Sequence, residues 1–343
     1  MDFAGQVGRF RTNRPLTEQE KNLQLKQNIR LDIEPHYQLS IISMNSTYLE
    51  SVDKWYGNRG TITAVMLIII GMLLAMFFGM LHVALTRDSQ SAIGKNDLTI
   101  LVVIGLMITP FVFAAIWGLK KDSFSFTHYP LRFDRKMQVV HIFRHDGTAF
   151  SIPWNEIFFT LTPVDQLYGF WNIMGHVLDA DKLTVRESFA LSVSSVGTPD
   201  GMAILRSHWE FIRRYMEDGP AAIAGQVQYC MPIADRRETF YVAFYRSLAN
   251  NSGPAIFMPA LIFNIAFDLL ILPFRLFAMR TSKLPRWPAE IEAQSMLERG
   301  DPYAIAGSEK GDRVSLYPEA ADAAGVMFTG PPGNPLAARH DRR

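Results

Sequence analysis

Three histidines come closer than any other residues in this sequence to a reactive constellation. His141 and His145 are four residues apart, so on a β-strand they lie on one face, and His128 precedes them by a short interval. Asp146 adjoins them, but no further acidic residue or cysteine completes a set of metal ligands. We therefore expect ordinary surface or partly buried histidines, and no metal site.

Motifs for catalysis and cofactor binding are absent from the rest of the chain. No GxSxG, HExxH, glycine-rich phosphate loop or dinucleotide fingerprint occurs. The formal net charge of +1 argues against a nucleic-acid partner. The single cysteine, Cys230, excludes an internal disulfide framework. These features predict a protein that is not an enzyme and binds no cofactor, metal or nucleic acid.

Two uncharged apolar stretches predict a transmembrane helical hairpin over residues 61–119. Residues 61–85 and 98–119 contain no Asp, Glu, Lys or Arg. As helices they are long enough to cross a hydrocarbon core of about 30 Å. Cations precede the first stretch and follow the second, which favours a cytoplasmic location for both ends and a periplasmic one for residues 89–94.

Small residues recur along both helices of the predicted hairpin. They allow helix backbones to approach closely in lipid, although glycine and alanine are also common in spans by chance. The candidate packing positions are Gly71, Ala75, Gly79, Gly105 and Thr109.

After residue 120 the pattern changes to short strands with turn residues between them. Asp146-Gly147 is a strong hairpin signal, and Thr198-Pro199 has the form of a helix start. An apolar residue at every third or fourth position then predicts an amphipathic helix up to Gly219. The predicted strands cover residues 131–133, 137–144, 148–152, 157–161, 168–178 and 183–193.

The fold class predicted from these elements is membrane α+β. The transmembrane hairpin is followed by a small pleckstrin-homology-like antiparallel β domain, which a C-terminal amphipathic helix closes. This likeness is an analogy at the level of the fold. A hydrophobic membrane-associated segment comes next.

That third apolar segment, residues 254–279, is interrupted by Pro259 and Pro273. The helical reach between the two prolines is only about 20 Å. We therefore predict that residues 254–277 are re-entrant or interfacial and do not cross the membrane. The alternative is a true third span whose polar residues are buried on the hairpin.

Polar residues in and after this segment support the same prediction. Asn264, Asp268 and Arg275 fall on one helical face, and an aspartate exposed to lipid costs a few kcal/mol. Four residues that follow are predicted to anchor the chain at the membrane surface: Arg280, Lys283, Arg286 and Trp287.

These observations divide the chain into six parts. Residues 1–60 form a polar cytoplasmic segment, the first forty of them weakly structured, and residues 61–119 form the hairpin. The others are the β domain with its helix (120–218), a helical connector (219–253), the membrane-associated segment (254–279) and a polar tail (280–343), largely disordered after residue 300.

Three stretches carry a resemblance to a family of uncharacterised bacterial membrane proteins associated with type VI secretion effectors. They are residues 46–60 (STYLESVDKWYGNRG), 130–159 (PLRFDRKMQVVHIFRHDGTAFSIPWNEIFF) and 279–293 (MRTSKLPRWPAEIEA). The resemblance implies a bacterial inner membrane and a role as an immunity or accessory protein. It supplies no active site.

Two functional classes follow. The first is a non-catalytic inner-membrane protein that binds a protein partner, such as a secreted effector or secretion component. The second is a membrane-tethered module that binds a lipid or a signal through the β domain. The identity of the partner and the oligomeric state stay open.

Overall fold

The computed structural model describes residues 10–86, 95–164, 169–227, 229–244 and 258–306. Helices and antiparallel sheets are both present within these ranges. The helices are α1 (Glu18–Asn22), α2 (Thr61–Thr86), α3 (Lys95–Asp122), α4 (Pro199–Glu217), α5 (Met258–Thr281) and α6 (Ala289–Gln294).

Two sheets form the β domain. Sheet A has the order β11-β3-β4-β5-β6-β7, and sheet B has the order β1-β10-β9-β8-β2. The strands of sheet A are β3 (Ile41–Met44), β4 (Tyr48–Ser51), β5 (Leu131–Asp134), β6 (Val139–Phe143), β7 (Ala149–Pro153) and β11 (Ile305–Ala306). Those of sheet B are β1 (Arg14–Pro15), β2 (Gln24–Leu25), β8 (Ile157–Pro163), β9 (Phe170–Leu178) and β10 (Thr184–Val196).

The predicted strands of residues 131–193 are confirmed, with shifts of a few residues at their ends. The helix that follows is also confirmed: the side chain of Thr198 accepts a hydrogen bond from the backbone N–H of Gly201 (3.2 Å), and Pro199 begins α4. These elements were predictable because alternation, turn residues and caps are local signals.

Helix α4 and the two sheets share one hydrophobic core. Leu205 and Trp209 of α4 are fully buried in it. The Trp209 ring stacks on Trp154 with centroids 5.7 Å apart and lies 4.7 Å from the ring of Phe159. Aromatic side chains from both sheets and the helix therefore meet at the centre of the domain.

The hairpin is an insertion between two neighbouring strands of sheet A. Strand β4 precedes α2 and β5 follows α3, and the two strands pair antiparallel with Tyr48 opposite Asp134 and Ser51 opposite Leu131. Residues 41–51 thus belong to the same sheet as residues 131–153. The sequence did not reveal this because the pairing partner lies beyond the whole hairpin.

The expectation of a weakly structured N-terminal stretch is wrong for its described part. Strand β1 pairs with β10, β2 pairs with β8, and Thr17 caps α1 in a capping box with Glu20. The two-residue strands acquire their order from sheet B and have too few residues to show alternation, whereas the Thr17–Glu20 capping box was a local signal for α1. Residues 1–9 lie outside the described residues.

Helices α2, α3 and α5 are each long and apolar enough to span a membrane. Helix α5 continues through Pro273, so the prediction that proline interrupts this segment is wrong. An internal proline removes one N–H donor and can kink a helix without ending it. The 24 residues of α5 reach about 36 Å. Length therefore does not prevent a crossing, and its membrane placement stays a prediction.

The chain on both sides of α5 packs on the β domain. Before it, the N–H of Met231 donates to the carbonyl of Ile41 (2.8 Å). After it, Ile305 pairs with Met44 in sheet A, and Asp301 accepts from the N–H of Ser46 (2.6 Å). Disorder directly after residue 300 is thus wrong for residues 301–306, because sheet A provides an edge to which they bind.

Two other predictions concern loops and connections. The described part of the connector is helical only in places: it has two 3₁₀ turns, Pro220–Ala222 and Ala224–Gln226, irregular chain up to residue 239, and helical residues at 240–244. The loop at 89–94, the rest of the connector at 245–253 and the tail at 307–343 lie outside the described residues.

Candidate functional site

A buried polar junction joins the apolar helices to the β domain. We define the junction by Arg59, Asp122, Glu238 and Arg275, which are all less than a tenth exposed. Asp122 is the last residue of α3, and its Oδ2 accepts from the backbone N–H groups of Gly60 and Thr63, both at 3.0 Å. A carboxylate from one helix therefore caps the positive end of the other.

Arg59, which lies just before α2, makes the opposite contact with the C-terminal end of α3. Its Nη1 donates to the backbone carbonyl of Asp122 (3.0 Å) and lies 3.6 Å from the carboxylate oxygen Oδ1. The guanidinium also lies over the ring of Tyr129, 5.2 Å from its centroid. The two helix ends are thus held by reciprocal contacts between almost fully buried side chains.

Arg275 ties α5 to the same place. Its Nη1 donates to the carbonyls of Tyr56 and Gly57 at 3.0 and 3.1 Å, at the end of the 3₁₀ helix Lys54–Asn58. Its Nη2 lies 2.8 Å from Oε2 of Glu238, a fully buried carboxylate. Five donors in a fixed plane allow one arginine to serve several acceptors at once.

Close backbone contact at the junction depends on Gly60. Its φ is +90°, and a Cβ added there would lie 2.4 Å from the Cα of Arg275. Only glycine combines this conformation with this approach. Helix α5 therefore packs directly on the first residue before α2.

The predicted polar stripe of α5 is divided between three environments. Arg275 is buried in the junction, and Asp268 is half-buried beside a cavity of about 150 Å³ that Arg59 and Arg275 also line. Asn264 is exposed. Among the described residues, the stripe therefore meets protein at Arg275 and, in part, at Asp268.

The predicted packing positions on the hairpin are mostly open. A Cβ at Gly71 or Gly79 would meet nothing within 4 Å among the described residues, and Ala75 is exposed on the same face. On α3, a Cβ at Gly105 would lie 3.5 Å from Phe77, and the hydroxyl of Thr109 donates to the Gly105 carbonyl within the helix. Helix packing at the open positions stays a prediction.

The four predicted surface anchors differ from one another. Trp287 packs on sheet A, where its Nε1 donates to Glu50 (3.1 Å) and its ring lies 4.9 Å from the Arg132 guanidinium. Lys283 is tied through its backbone, since its N–H donates to the Ser125 carbonyl (2.7 Å), while its side chain is exposed. The side chains of Arg280 and Arg286 are exposed as well.

The three histidines have separate partners. Nδ1 of His141 lies 2.7 Å from the Ser151 hydroxyl, and the His145 ring packs on Tyr129. His128 is buried at the junction, where burial and then the nearby charge of Arg59 lower its pKa to about 3. No group of three or more His, Cys, Asp or Glu among the described residues is placed to hold a metal ion.

A second charged region lies where the N-terminal chain crosses sheet B. Arg14 forms two hydrogen bonds to Glu20 (2.6 and 2.8 Å), and Glu20 lies 3.2 Å from Nε2 of His176. Nδ1 of His176 is 2.8 Å from the hydroxyl of Ser188, its cross-strand neighbour. Burial alone raises the pKa of Glu20, but hydrogen bonds from His176 and Arg14 outweigh it and hold the pKa well below its usual value.

Two adjoining cavities border this region and form what we call the groove. The larger, of about 260 Å³, lies between sheet A and β10, and the smaller, of about 110 Å³, lies between β9 and residues 10–14. Both are lined by Phe10, Lys54 and Ser188. Sequence reasoning missed the groove, although the cations of the sequence RFRTNR (residues 9–14) were a signal.

Comparison with known proteins gives a family without a known activity. The model of DUF6708, described as a family of unknown function, matches residues 108–299, more than half of the chain. The chain belongs to this family. The match includes the C-terminal half of α3, strands β5 to β10, α4 and α5, but not β1 to β4 or β11.

Two further searches gave no match. No curated protein and no solved structure is similar to the chain. The family description contains no link to a secretion system. Function therefore has to be argued from the junction, the groove and the surface of the domain.

Proposed function

We propose that this chain is a non-catalytic protein of the bacterial inner membrane that holds its β domain in the cytoplasm and binds a protein partner there. The observation that carries the proposal is an apolar patch on the domain. The patch consists of Met137, Met296 and Leu297, whose side chains are 56%, 70% and 56% exposed.

The patch lies at the end of sheet A that points away from the hairpin. Residue 137 is in the turn that follows β5, and residues 296–297 are fastened beside that turn. The carbonyl of Met296 accepts from the hydroxyl of Thr47 (3.3 Å), and Lys136 forms an ion pair with Glu298. Exposed apolar side chains grouped in this way are typical of protein–protein contacts.

Membrane topology follows from the fold under this proposal. Residues 10–58, 123–239 and 282–306 belong to one folded domain, so they lie on one side of the membrane. The chain then crosses an even number of times between residues 239 and 282. A re-entrant segment satisfies this condition, and a single third crossing does not.

Reporter fusions test the topology. Green fluorescent protein fused after residue 343 should fluoresce, and alkaline phosphatase at the same position should be inactive. Cys230 does not interfere with complementary cysteine labelling, because it is buried and its thiol pKa is raised to about 12. An active phosphatase would contradict the shared location of domain and tail.

We infer that the partner is a secreted effector or a secretion component, with the chain acting as an immunity or accessory protein. The support is the resemblance carried by residues 46–60, 130–159 and 279–293. Deletion of the gene should make cells sensitive to sibling attack, and deletion of the adjacent effector gene should restore survival. Sensitivity that persists without the effector would refute the immunity role.

Partner binding by the patch is tested by substitution. Met296→Asp combined with Leu297→Asp should abolish co-purification of the partner from detergent extracts while the domain stays folded. Leu183→Asp is the matched control, since Leu183 is 54% exposed in the β9–β10 turn on sheet B. Equal loss in both variants would show that the patch is not the binding surface.

A second candidate function is a membrane-tethered module that binds a lipid or a signal. The larger cavity of the groove favours it, because it opens between the two sheets beside Asp53 and Tyr129, close to the hairpin. Two antiparallel sheets followed by a packed helix also support the pleckstrin-homology-like arrangement, an analogy that by itself supplies no ligand.

A further inference from the structure

The smaller cavity of the groove has an unusual set of charged lining residues. Arg11, Arg14, Lys54 and His176 line it, and no carboxylate does so among the described residues. The charge of Arg14 is matched by Glu20 behind the cavity wall. Arg11 is exposed and Lys54 is half-buried, so both can approach a bound anion.

Neutral hydrogen-bonding groups complete this cavity. With its amide oxygen directed towards Lys54, the buried side chain of Asn172 accepts from Nζ of Lys54 (2.5 Å) and donates to Ser194. Thr162 and Ser188 also line the cavity. A cavity needs about 15 Å³ to hold one water molecule. The volume of about 110 Å³ is several times larger and therefore leaves room for a group the size of a phosphate.

The larger cavity differs in character. Six aromatic side chains line it, among them Phe10, Trp55 and Phe150. Most of its charged lining residues are used within the protein: Arg144 and Glu187 form an ion pair (2.7 Å), and the carboxylates of Asp53 and Asp146 accept from the backbone N–H groups of Tyr129 and Thr148. Arg186 also lines it and is exposed. The six rings make this part of the groove suitable for an apolar or aromatic body.

We propose that the groove binds a small phosphate ester, with the phosphate held by Arg11 and Lys54 in the smaller cavity and an apolar or aromatic body in the larger one. The two cavities share Phe10, Lys54 and Ser188, so one ligand can occupy both. Lys54 lies only a few residues before α2, which places the groove within reach of a lipid headgroup as well as of a soluble ligand. The proposal does not depend on the protein-partner function.

The test uses the full-length protein purified in detergent, with AMP, adenosine and inorganic phosphate as probes in titration calorimetry. AMP should bind saturably, and adenosine should bind at least about 10-fold more weakly, because charge-assisted hydrogen bonds contribute most of the affinity. Lys54→Met and Arg11→Gln should each weaken AMP binding by about 10-fold or more. Lys26→Met, an exposed lysine outside the lining of either cavity, should leave it unchanged.

The source of the ligand is distinguished in nanodiscs. If a lipid headgroup occupies the groove, phosphatidic acid in the nanodisc should weaken AMP binding relative to phosphatidylcholine alone, and if the ligand is soluble, both nanodiscs should give the same affinity. If neither AMP nor phosphate binds to the protein in detergent or in either nanodisc, the proposal is overturned. The proposal is also overturned if Lys54→Met and Arg11→Gln both bind AMP with unchanged affinity and unfold at the same temperature as the unsubstituted protein. If phosphate binds as tightly as AMP, the larger cavity has no part in recognition.

Discussion

The junction and the groove both gather arginine and lysine near the base of the β domain, but they leave these cations in opposite states. In the junction, Arg59 and Arg275 are 2% and 6% exposed and donate to carbonyls and carboxylates of the protein itself. In the groove, Arg11 is exposed and Lys54 is half-buried beside open space. An arginine that is buried against acceptors of the protein stabilises the fold, whereas a cation with an accessible side chain beside a cavity can bind a ligand.

The largest effect that separates the two regions is expected from Arg275→Met. It leaves Glu238 fully buried without its cation, which costs about 3–5 kcal/mol. Denaturant unfolding of the detergent-solubilised protein should measure this loss. Arg280→Met, at an exposed position on the same helix, should change stability by less than about 0.5 kcal/mol. Similar losses in both variants would remove the distinction between paired and solvated cations.

Gly60→Ala tests the close contact at the junction, with Gly219→Ala as its control. The two glycines have nearly the same φ, +90° and +88°, but a Cβ meets Arg275 only at Gly60. At Gly219 the substitution introduces only the backbone strain of an alanine at positive φ, which should cost about 1–2 kcal/mol. At Gly60 the same strain is combined with a clash between the new Cβ and Arg275, and the cost should be about 3 kcal/mol or more. Equal costs in thermal unfolding would show that α5 does not depend on this approach.

Acid should destabilise the domain through two buried histidines. Burial lowers the pKa of His128 to about 3 and that of His208 to about 4, so the unfolded chain binds more protons below pH 6.5. Stability is therefore lost as the pH falls from 6.5 towards these values, by about 2 kcal/mol per histidine at pH 5. His128→Asn or His208→Gln should each flatten the pH dependence of the melting temperature in part, because burial also lowers the pKa values of His36 and His141. An unchanged slope in both variants would exclude this cause.

The smallest expected effect is the absence of a reaction. The Ser188 hydroxyl should not react with a fluorophosphonate probe. The Ser188 hydroxyl has a histidine neighbour, and that histidine lies beside Glu20. However, Ser188 lies within strand β10, whereas a serine nucleophile usually occupies an exposed turn. Labelling that Ser188→Ala and His176→Ala both abolish would show that the groove is catalytic. It would also overturn the proposal of a non-catalytic protein.

The sequence determined the elements whose signals are local. Uncharged runs over residues 61–119 gave the apolar hairpin, alternation and Asp146-Gly147 gave the strands after residue 130, and Thr198-Pro199 gave the start of α4. Each signal is complete within a single helix, strand or turn, so residues close in sequence suffice to predict it.

Only the tertiary structure decided where distant segments meet. Residue 59 contacts residue 122, 63 positions away, and Arg275 contacts Tyr56 across 219 positions. Trp287 looked like a surface anchor in the sequence and lies against Glu50 of sheet A. Such contacts depend on how the sheets and helices pack as a whole, and no local pattern encodes them. The hairpin and the strands after residue 130 could therefore be predicted from the sequence, while the junction and the groove arise only when segments far apart in the chain pack together.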